Sequence, residues 1–197
     1  MKKISLIIVL AVVCFFTASC QKTDTASSKV NWMSVQQAIE QAQKDGDNAK
    51  LIFIDCYTSW CGWCKVLDQK SFSNDTVAAI LNYYFYPCKF NAEGSEVITI
   101  NGESYNPTTR SGKAGTHELM KVIWEGQRGG GYPTISIRHS DFTPIDCIMG
   151  FLGPDELQMA LVYYAEKYNR QMSFEKFKSN YEDKYRPMVV EKIFAKK

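Results

Sequence analysis

Histidine is scarce in this chain: His117 and His139 are the only two in 197 residues. No second CxxC or CxxH accompanies Cys61-Gly62-Trp63-Cys64, so a four-ligand zinc site lacks half its donors. Lys65, not histidine, follows Cys64, which excludes covalent haem attachment. Charge of one sign is also in short supply. Lys and Arg number 23 against 21 Asp and Glu, a formal net charge of +2 with no long run of either sign, which is no footprint for nucleic acid. The apolar run 4–16 falls short of the ~20 residues a spanning helix needs. Internal repeats are absent. Apolar residues make up 45% and aromatics 13%, enough for an ordinary core, so disorder is not the expectation either.

The beginning of the chain is specific. Lys2 and Lys3 precede the apolar run, and small residues at Thr17, Ala18 and Ser19 lead to Cys20, which reads as an export signal over 1–19. The segment resembles a bacterial lipoprotein signal, which implies that Cys20 becomes the lipid-modified first residue of the mature protein. Ordinary cleavage that leaves Cys20 a free thiol, or a retained anchor, are the alternatives. Each sends the domain out of the cytoplasm, to the cell envelope, where disulfides persist. Residues 20–29, rich in Ser, Thr and Lys, read as a flexible tether, and the domain as 30–197. Cys56, Cys61, Cys64, Cys88 and Cys147 then remain. A disulfide-stapled scaffold would distribute and pair its cysteines; one tight pair beside three singles reads as a redox site with packing cysteines.

Along the domain, Ser34 caps a helix whose face is Val35, Ala38, Ile39 and Ala42, ending at Asp45-Gly46-Asp47. Residues 51–54 are a wholly apolar strand, covered on both faces. A helix follows from Gly62 or Trp63 to Ser71, another from Asn74 or Asp75 to Tyr83, then a strand over 84–90, a βαβ unit carrying CxxC on its first turn. Residues 93–130 interrupt the pattern as an insertion or an elaborated helical layer. It holds a hairpin over 97–105 around Asn101-Gly102, a polar Gly-rich stretch over 106–115, and a helix capped by Thr116 that runs to Trp124. Strands over 134–138 and 145–149 flank a turn at Ser140-Asp141. A long helix begins at Pro154-Asp155-Glu156, and an extra C-terminal helix occupies 173–185.

The CxxC spacing places two thiols one helical turn apart. A free cysteine of pKa ≈ 8.5 is mostly protonated at neutral pH, and a helix N-terminus favours its thiolate. Cys61 is therefore the expected nucleophile and Cys64 the resolving thiol, with a Cys61–Cys64 disulfide as the oxidised state. Gly62 leaves room for a substrate, and Trp60 and Trp63 are expected to shield the pair. No organic cofactor or metal is required by this chemistry.

The stretch Phe53-Ile54-Asp55-Cys56-Tyr57-Thr58-Ser59-Trp60-Cys61-Gly62-Trp63-Cys64-Lys65 resembles the thioredoxin-like superfamily, nearest to periplasmic thioredoxin-related thiol:disulfide oxidoreductases. The resemblance implies an α/β three-layer fold, a central mixed sheet flanked by helices. It implies that Asp55 is the buried acid that carries the proton of the resolving cysteine. Gly131-Tyr132-Pro133-Thr134 resembles the family's cis-proline loop, which implies that Tyr132, Pro133 and Thr134 dock the substrate chain together with Trp60, Gly62 and Trp63. Protein thiols and disulfides would be the substrates, an upstream electron donor would complete the cycle, and a lipid anchor would bring the membrane close. Reduction is the preferred direction, with oxidase and isomerase open because Trp63 replaces thioredoxin's proline. A non-catalytic binding module using 93–130, with CxxC a structural disulfide, is the competing reading. Cys56 reads as a small buried hydrophobe. Cys88 and Cys147 fall on strands at opposite sides of the sheet, His117 in the first turn of a helix and His139 at a strand end. The sequence is silent on oligomeric state.

Overall fold

The computed structural model describes residues 29–195; the export signal, Cys20 and the tether up to Ser28 lie outside the described residues. The first helix, α1 (Val35–Asp45), forms where its cap predicts. Ser34 Oγ accepts the Gln37 N–H while the Gln37 side chain accepts the Ser34 N–H, a reciprocal capping box. Val35, Ala38, Ile39 and Ala42 are its buried stripe. Gly46, at φ 54°, ends it.

Strand β1 (Leu51–Tyr57) is longer than its apolar core, because the two residues that follow, Asp55 and Cys56, are buried as well. α2 (Gly62–Leu67) runs into a π-helical turn, Asp68–Phe72. α3 (Asp75–Tyr84) is capped by Asn74 Oδ1, which accepts the Thr76 and Val77 N–H groups. β2 (Phe85–Asn91) returns parallel to β1 with Lys89 opposite Asp55. Pro87 interrupts nothing, because its position faces the outer edge. There Met33 N–H donates to the Pro87 carbonyl (2.9 Å), and the Met33 carbonyl accepts the Lys89 N–H (3.1 Å). Just before Met33, the Asn82 side chain clasps the incoming chain, accepting from Asn31 N–H and donating to the Lys29 carbonyl, both at 2.8 Å. Lys50 Nζ, at the start of β1, donates to the Asn82 carbonyl.

The expected hairpin is β3 (Ile98–Ile100) and β4 (Glu103–Tyr105), with φ positive at both Asn101 (51°) and Gly102 (87°), as a two-residue I′ turn requires. A second, shorter hairpin, β5 (Thr109–Arg110) and β6 (Lys113–Ala114), turns at Ser111-Gly112 inside the stretch read as merely polar. α4 (Leu119–Ile123) is shorter than expected, and Thr116 does not cap it. The Thr116 carbonyl is taken by the Thr108 hydroxyl, and His117 Nδ1 accepts the Leu119 N–H. Leu119, Met120 and Ile123 are buried against α1 and β3, so this region is part of one helical layer and not an appendage.

β7 (Thr134–Arg138) and β8 (Pro144–Met149) complete the sheet, in the order β2-β1-β7-β8, with β7 antiparallel to both its neighbours. Cys88 and Cys147 accordingly sit on opposite edge strands. α5 (Pro154–Ala165) starts with Pro154 in its first turn. The single helix expected over 173–185 is instead divided. α6 (Phe174–Lys178) stops where the Ser179 and Asn180 side chains both take the Lys176 carbonyl. A π-helical turn, Tyr181–Tyr185, leads into α7 (Arg186–Phe194), whose Pro187 lies in a first turn that tolerates its missing N–H. Phe177 is the hub of this extension, stacked on Tyr185 at 4.8 Å, with Tyr163, Tyr168 and Tyr181 also around it.

The strand alternation divides the core. Ile52, Ile54 and Cys56 face α1 and α4, whereas Phe53 faces α2, α3 and α5. No helix among the described residues is long and apolar enough to cross a membrane.

Candidate active site

The turn after β1 delivers Cys61 to the N-cap of α2. Cys61 N–H donates to the Thr58 carbonyl (3.2 Å), and Cys61 Sγ accepts the Cys64 N–H at 3.0 Å. The sulfur thus occupies the place where a capping oxygen would neutralise a free helix donor. Cys61 and Cys64 form a disulfide with Cα atoms 5.4 Å apart. Both residues are buried, at 4% and 3% exposure, while Trp60 and Trp63 stand 65% and 62% in solvent. The indoles therefore flank the pair as a rim more than they roof it. Trp60 Nε1 donates to Glu93 Oε2 (3.0 Å), and its ring meets the edge of Tyr132 at 5.9 Å; Trp63 leans on Phe151 at 5.8 Å. At Gly62, between the two cysteines, a Cβ would meet nothing within 4 Å, so that position is open to an approaching chain.

The second wall comes from the loop before β7. The Tyr132–Pro133 peptide is cis. Thr134 pairs with Cys56 near the end of β1, which brings the loop to the same end of the sheet as the disulfide. Thr134 Oγ1 donates to the Gly131 carbonyl (2.5 Å), and the Pro133 carbonyl accepts the Gly150 N–H (2.9 Å). Burial pushes the Tyr132 phenol up to about 12.

Beneath lies Asp55, 1% exposed on β1. Its Oδ2 takes the Lys89 ammonium at 2.6 Å, and its Oδ1 has no hydrogen-bond partner. Burial pushes its carboxyl up to about 6, although Lys89 pulls the other way. Lys89 is shared with Asp68 of the π-helical turn and lies over the rings of Trp32, Tyr57 and Phe72 at 4.8, 5.4 and 5.0 Å. Burial opposes the charge on Lys89, but Asp55 and Asp68 outweigh it and its pKa is raised. Neither Lys89 nor Asp68 is singled out by the sequence analysis. The available signal is a single lysine in the otherwise apolar run 85–90, in register with a buried aspartate on the neighbouring strand. Glu93 is likewise missed, being a lone acid in a loop.

The remaining thiols are of another kind. Cys56 and Cys88 are fully buried, and burial raises both pKa values; burial and Asp146 raise that of half-buried Cys147. They remain thiols at neutral pH and are poor nucleophiles. His117 precedes α4 instead of lying within it and is fully engaged, with Nδ1 accepting from Leu119 and Nε2 donating to the Glu96 carbonyl. Among the described residues no group of three or more His, Cys, Asp or Glu is placed to hold a metal ion.

A family model described as Thioredox_DsbH, protein of unknown function, DUF255, matches residues 17–99. An uncharacterised protein of Caenorhabditis elegans is 38% identical over 68 residues, which are 34% of this chain and 9% of that protein, so the chain spans under a tenth of its relative. Among solved structures, a thioredoxin from Thermus thermophilus superposes with a TM-score of 0.50 at 14% identity, covering 80% of this chain and 98% of that one. A DsbH oxidoreductase gives 0.49 at 14% identity, over 75% and 91% of the two chains. A thioredoxin-fold protein from Helicobacter pylori gives 0.49 at 12%, over 74% and 92%. The fold is thioredoxin-like, with a Cys61–Cys64 disulfide beyond the end of its first central strand.

Proposed function

We propose that the chain is a thiol:disulfide oxidoreductase that reduces protein disulfides in the cell envelope, tethered to a membrane through a lipid on Cys20. The observation that carries this reading is the Cys61 sulfur at the N-cap of α2, bonded to the Cys64 N–H, at the same end of the sheet as a cis-proline loop. The same backbone donor that bonds Cys61 in the disulfide would stabilise its thiolate in the reduced state.

In the forward step the Cys61 thiolate attacks one sulfur of a substrate disulfide. A Cys61–substrate bond forms, the substrate S–S bond breaks, and the second substrate sulfur leaves as a thiolate. Asp55, ionised, takes the proton of Cys64, whose thiolate then attacks Cys61 Sγ. The Cys61–Cys64 disulfide closes, the remaining substrate sulfur leaves, and two electrons have passed to the substrate. The proton on Asp55 passes through solvent to one of the two departing thiolates, and the other takes its proton from water. A carboxyl held near 6 is suited to this, because near neutral pH it can both accept and release a proton. Tyr132, Pro133 and Thr134, with Trp60, Gly62 and Trp63, receive the substrate chain. An upstream dithiol reductant returns the pair to its reduced state.

Cys64→Ala is the direct test. It should retain the attack by Cys61 and lose resolution, so that partners accumulate as mixed disulfides that dithiothreitol releases. No captured partner, together with a wild type that leaves a model protein disulfide intact, would overturn the reading.

A further inference from the structure

The polar and aromatic contacts of Trp124 serve one purpose that the reaction above leaves unassigned. Trp124 ends α4, within the region 93–130, and is half-buried. Its Nε1 donates to Thr134 Oγ1 at 3.1 Å. That hydroxyl has one proton, which goes to the Gly131 carbonyl at 2.5 Å, so the indole supplies the donor its lone pair accepts. The ring also lies against the loop backbone. A Cβ on Gly130 would come within 2.6–2.7 Å of three indole carbons, closer than any side chain can be accommodated. Finally, the indole packs on Tyr132, centroids 5.5 Å apart and planes tilted by 46°. One side chain thus touches residues 130, 132 and 134, both flanks and the centre of the cis-proline loop, and Tyr132 in turn meets Trp60 beside the disulfide.

The support behind Trp124 is rigid. Leu119, Met120 and Ile123 are 0–2% exposed. The Val122 carbonyl, in the last turn of α4, accepts from Arg138 Nη2 at 2.9 Å, and Arg138 itself is buried on β7 with further bonds to Ser136 Oγ and the Phe142 carbonyl. The helix that carries the indole and the strand that begins at Thr134 are therefore bolted together through Arg138.

We propose that Trp124 is a positioning residue for thiol–disulfide exchange: it holds the Gly131–Thr134 edge in the geometry that docks an extended protein substrate beside Cys61. This rests on the oxidoreductase reading and extends it, since it makes the inserted layer a determinant of protein-substrate affinity and not of the redox chemistry. A small dithiol reaches the sulfurs without using the edge, so its reaction is indifferent to Trp124.

The test is steady-state reduction of insulin with dithiothreitol as recycling reductant, beside the direct exchange of dithiothreitol with the oxidised protein and the midpoint potential of the pair. Trp124→Phe keeps an aromatic ring, smaller than the indole, and deletes the N–H. It should raise KM for insulin by roughly three- to tenfold, the range one neutral hydrogen bond spans, with kcat, the dithiothreitol rate and the midpoint potential at their wild-type values. Thr134→Val should raise KM at least as much, and the double variant should raise it by less than the product of the two single effects, because both substitutions break the Trp124–Thr134 bond. An unchanged KM in Trp124→Phe overturns the proposal. So does a fall of kcat and the dithiothreitol rate in step with KM, or effects that multiply in the double variant. A wild type that exchanges with dithiothreitol but never reduces insulin removes the oxidoreductase reading instead, and this inference with it.

Discussion

Replacing Asp55 by Asn should uncouple stability from pH over the mildly acidic range. Asp55 is buried with one oxygen on Lys89 and one without a partner, and its carboxyl rises from the ordinary 3.8 to about 6. The folded state therefore binds this proton more tightly than the unfolded chain does. The resulting stabilisation is fully present below pH 3.8 and is lost as pH rises to about 6. At ~1.36 kcal/mol for each pH unit between those limits, the loss comes to about 3 kcal/mol, most of it between pH 4 and pH 7. Asp55→Asn keeps the size and removes the titration. Urea unfolding of the oxidised protein at pH 4 and pH 8, at constant ionic strength, gives the two free energies. The difference between wild type and variant should move by about 2–3 kcal/mol in the variant's favour at pH 8, because the substitution removes the carboxyl whose proton the folded state holds more tightly. Parallel pH profiles for the two proteins would mean that Asp55 is not held in an environment hostile to its charge, and the argument for its role as proton carrier would lose its physical basis.

Two further substitutions probe the frame around the site. Phe177→Ala, at the centre of the aromatic cluster that docks α6 and α7, should cost about 3–5 kcal/mol of unfolding free energy in urea, and a cost under about 1 kcal/mol would show that the extension is not part of the cooperative core. Arg138→Met leaves the Val122 and Phe142 carbonyls without their donor and should destabilise by about 2 kcal/mol, with amide-exchange protection lost first in α4; uniform loss across the sheet would contradict the clamp described for that arginine.

Much of this arrangement is legible from residue patterns because local chemistry decides it. Ser34 and Asn74 cap the helices they precede, Asn101-Gly102 turns a hairpin, and the apolar run 51–54 is a central strand. The position of CxxC at the mouth of a helix follows from the same strand-to-helix reading. What sequence patterns miss is decided across space. Arg138 looks like a solvated strand end, yet it is buried because three acceptors converge on it from β7, the following turn and α4. Thr116 is a residue type that caps helices, but α4 begins only at Leu119, two residues past the position Thr116 could cap, and its first N–H goes to His117 Nδ1. The 173–185 segment has helical periodicity throughout, and only the Ser179 and Asn180 side chains, by turning back on Lys176, divide it. Lys89 and Trp124 belong to the same group: each is an unremarkable residue type whose meaning comes from the strand or loop opposite.

The Asn82 clasp has a geometric outcome. It fixes the incoming chain beside Lys50, where β1 begins, whereas the disulfide lies past the point where β1 ends. Seven residues of extended strand separate the two poles by about 20 Å. The described chain thus enters at the pole opposite its reactive sulfurs, and a substrate that approaches the disulfide meets the face away from Lys29.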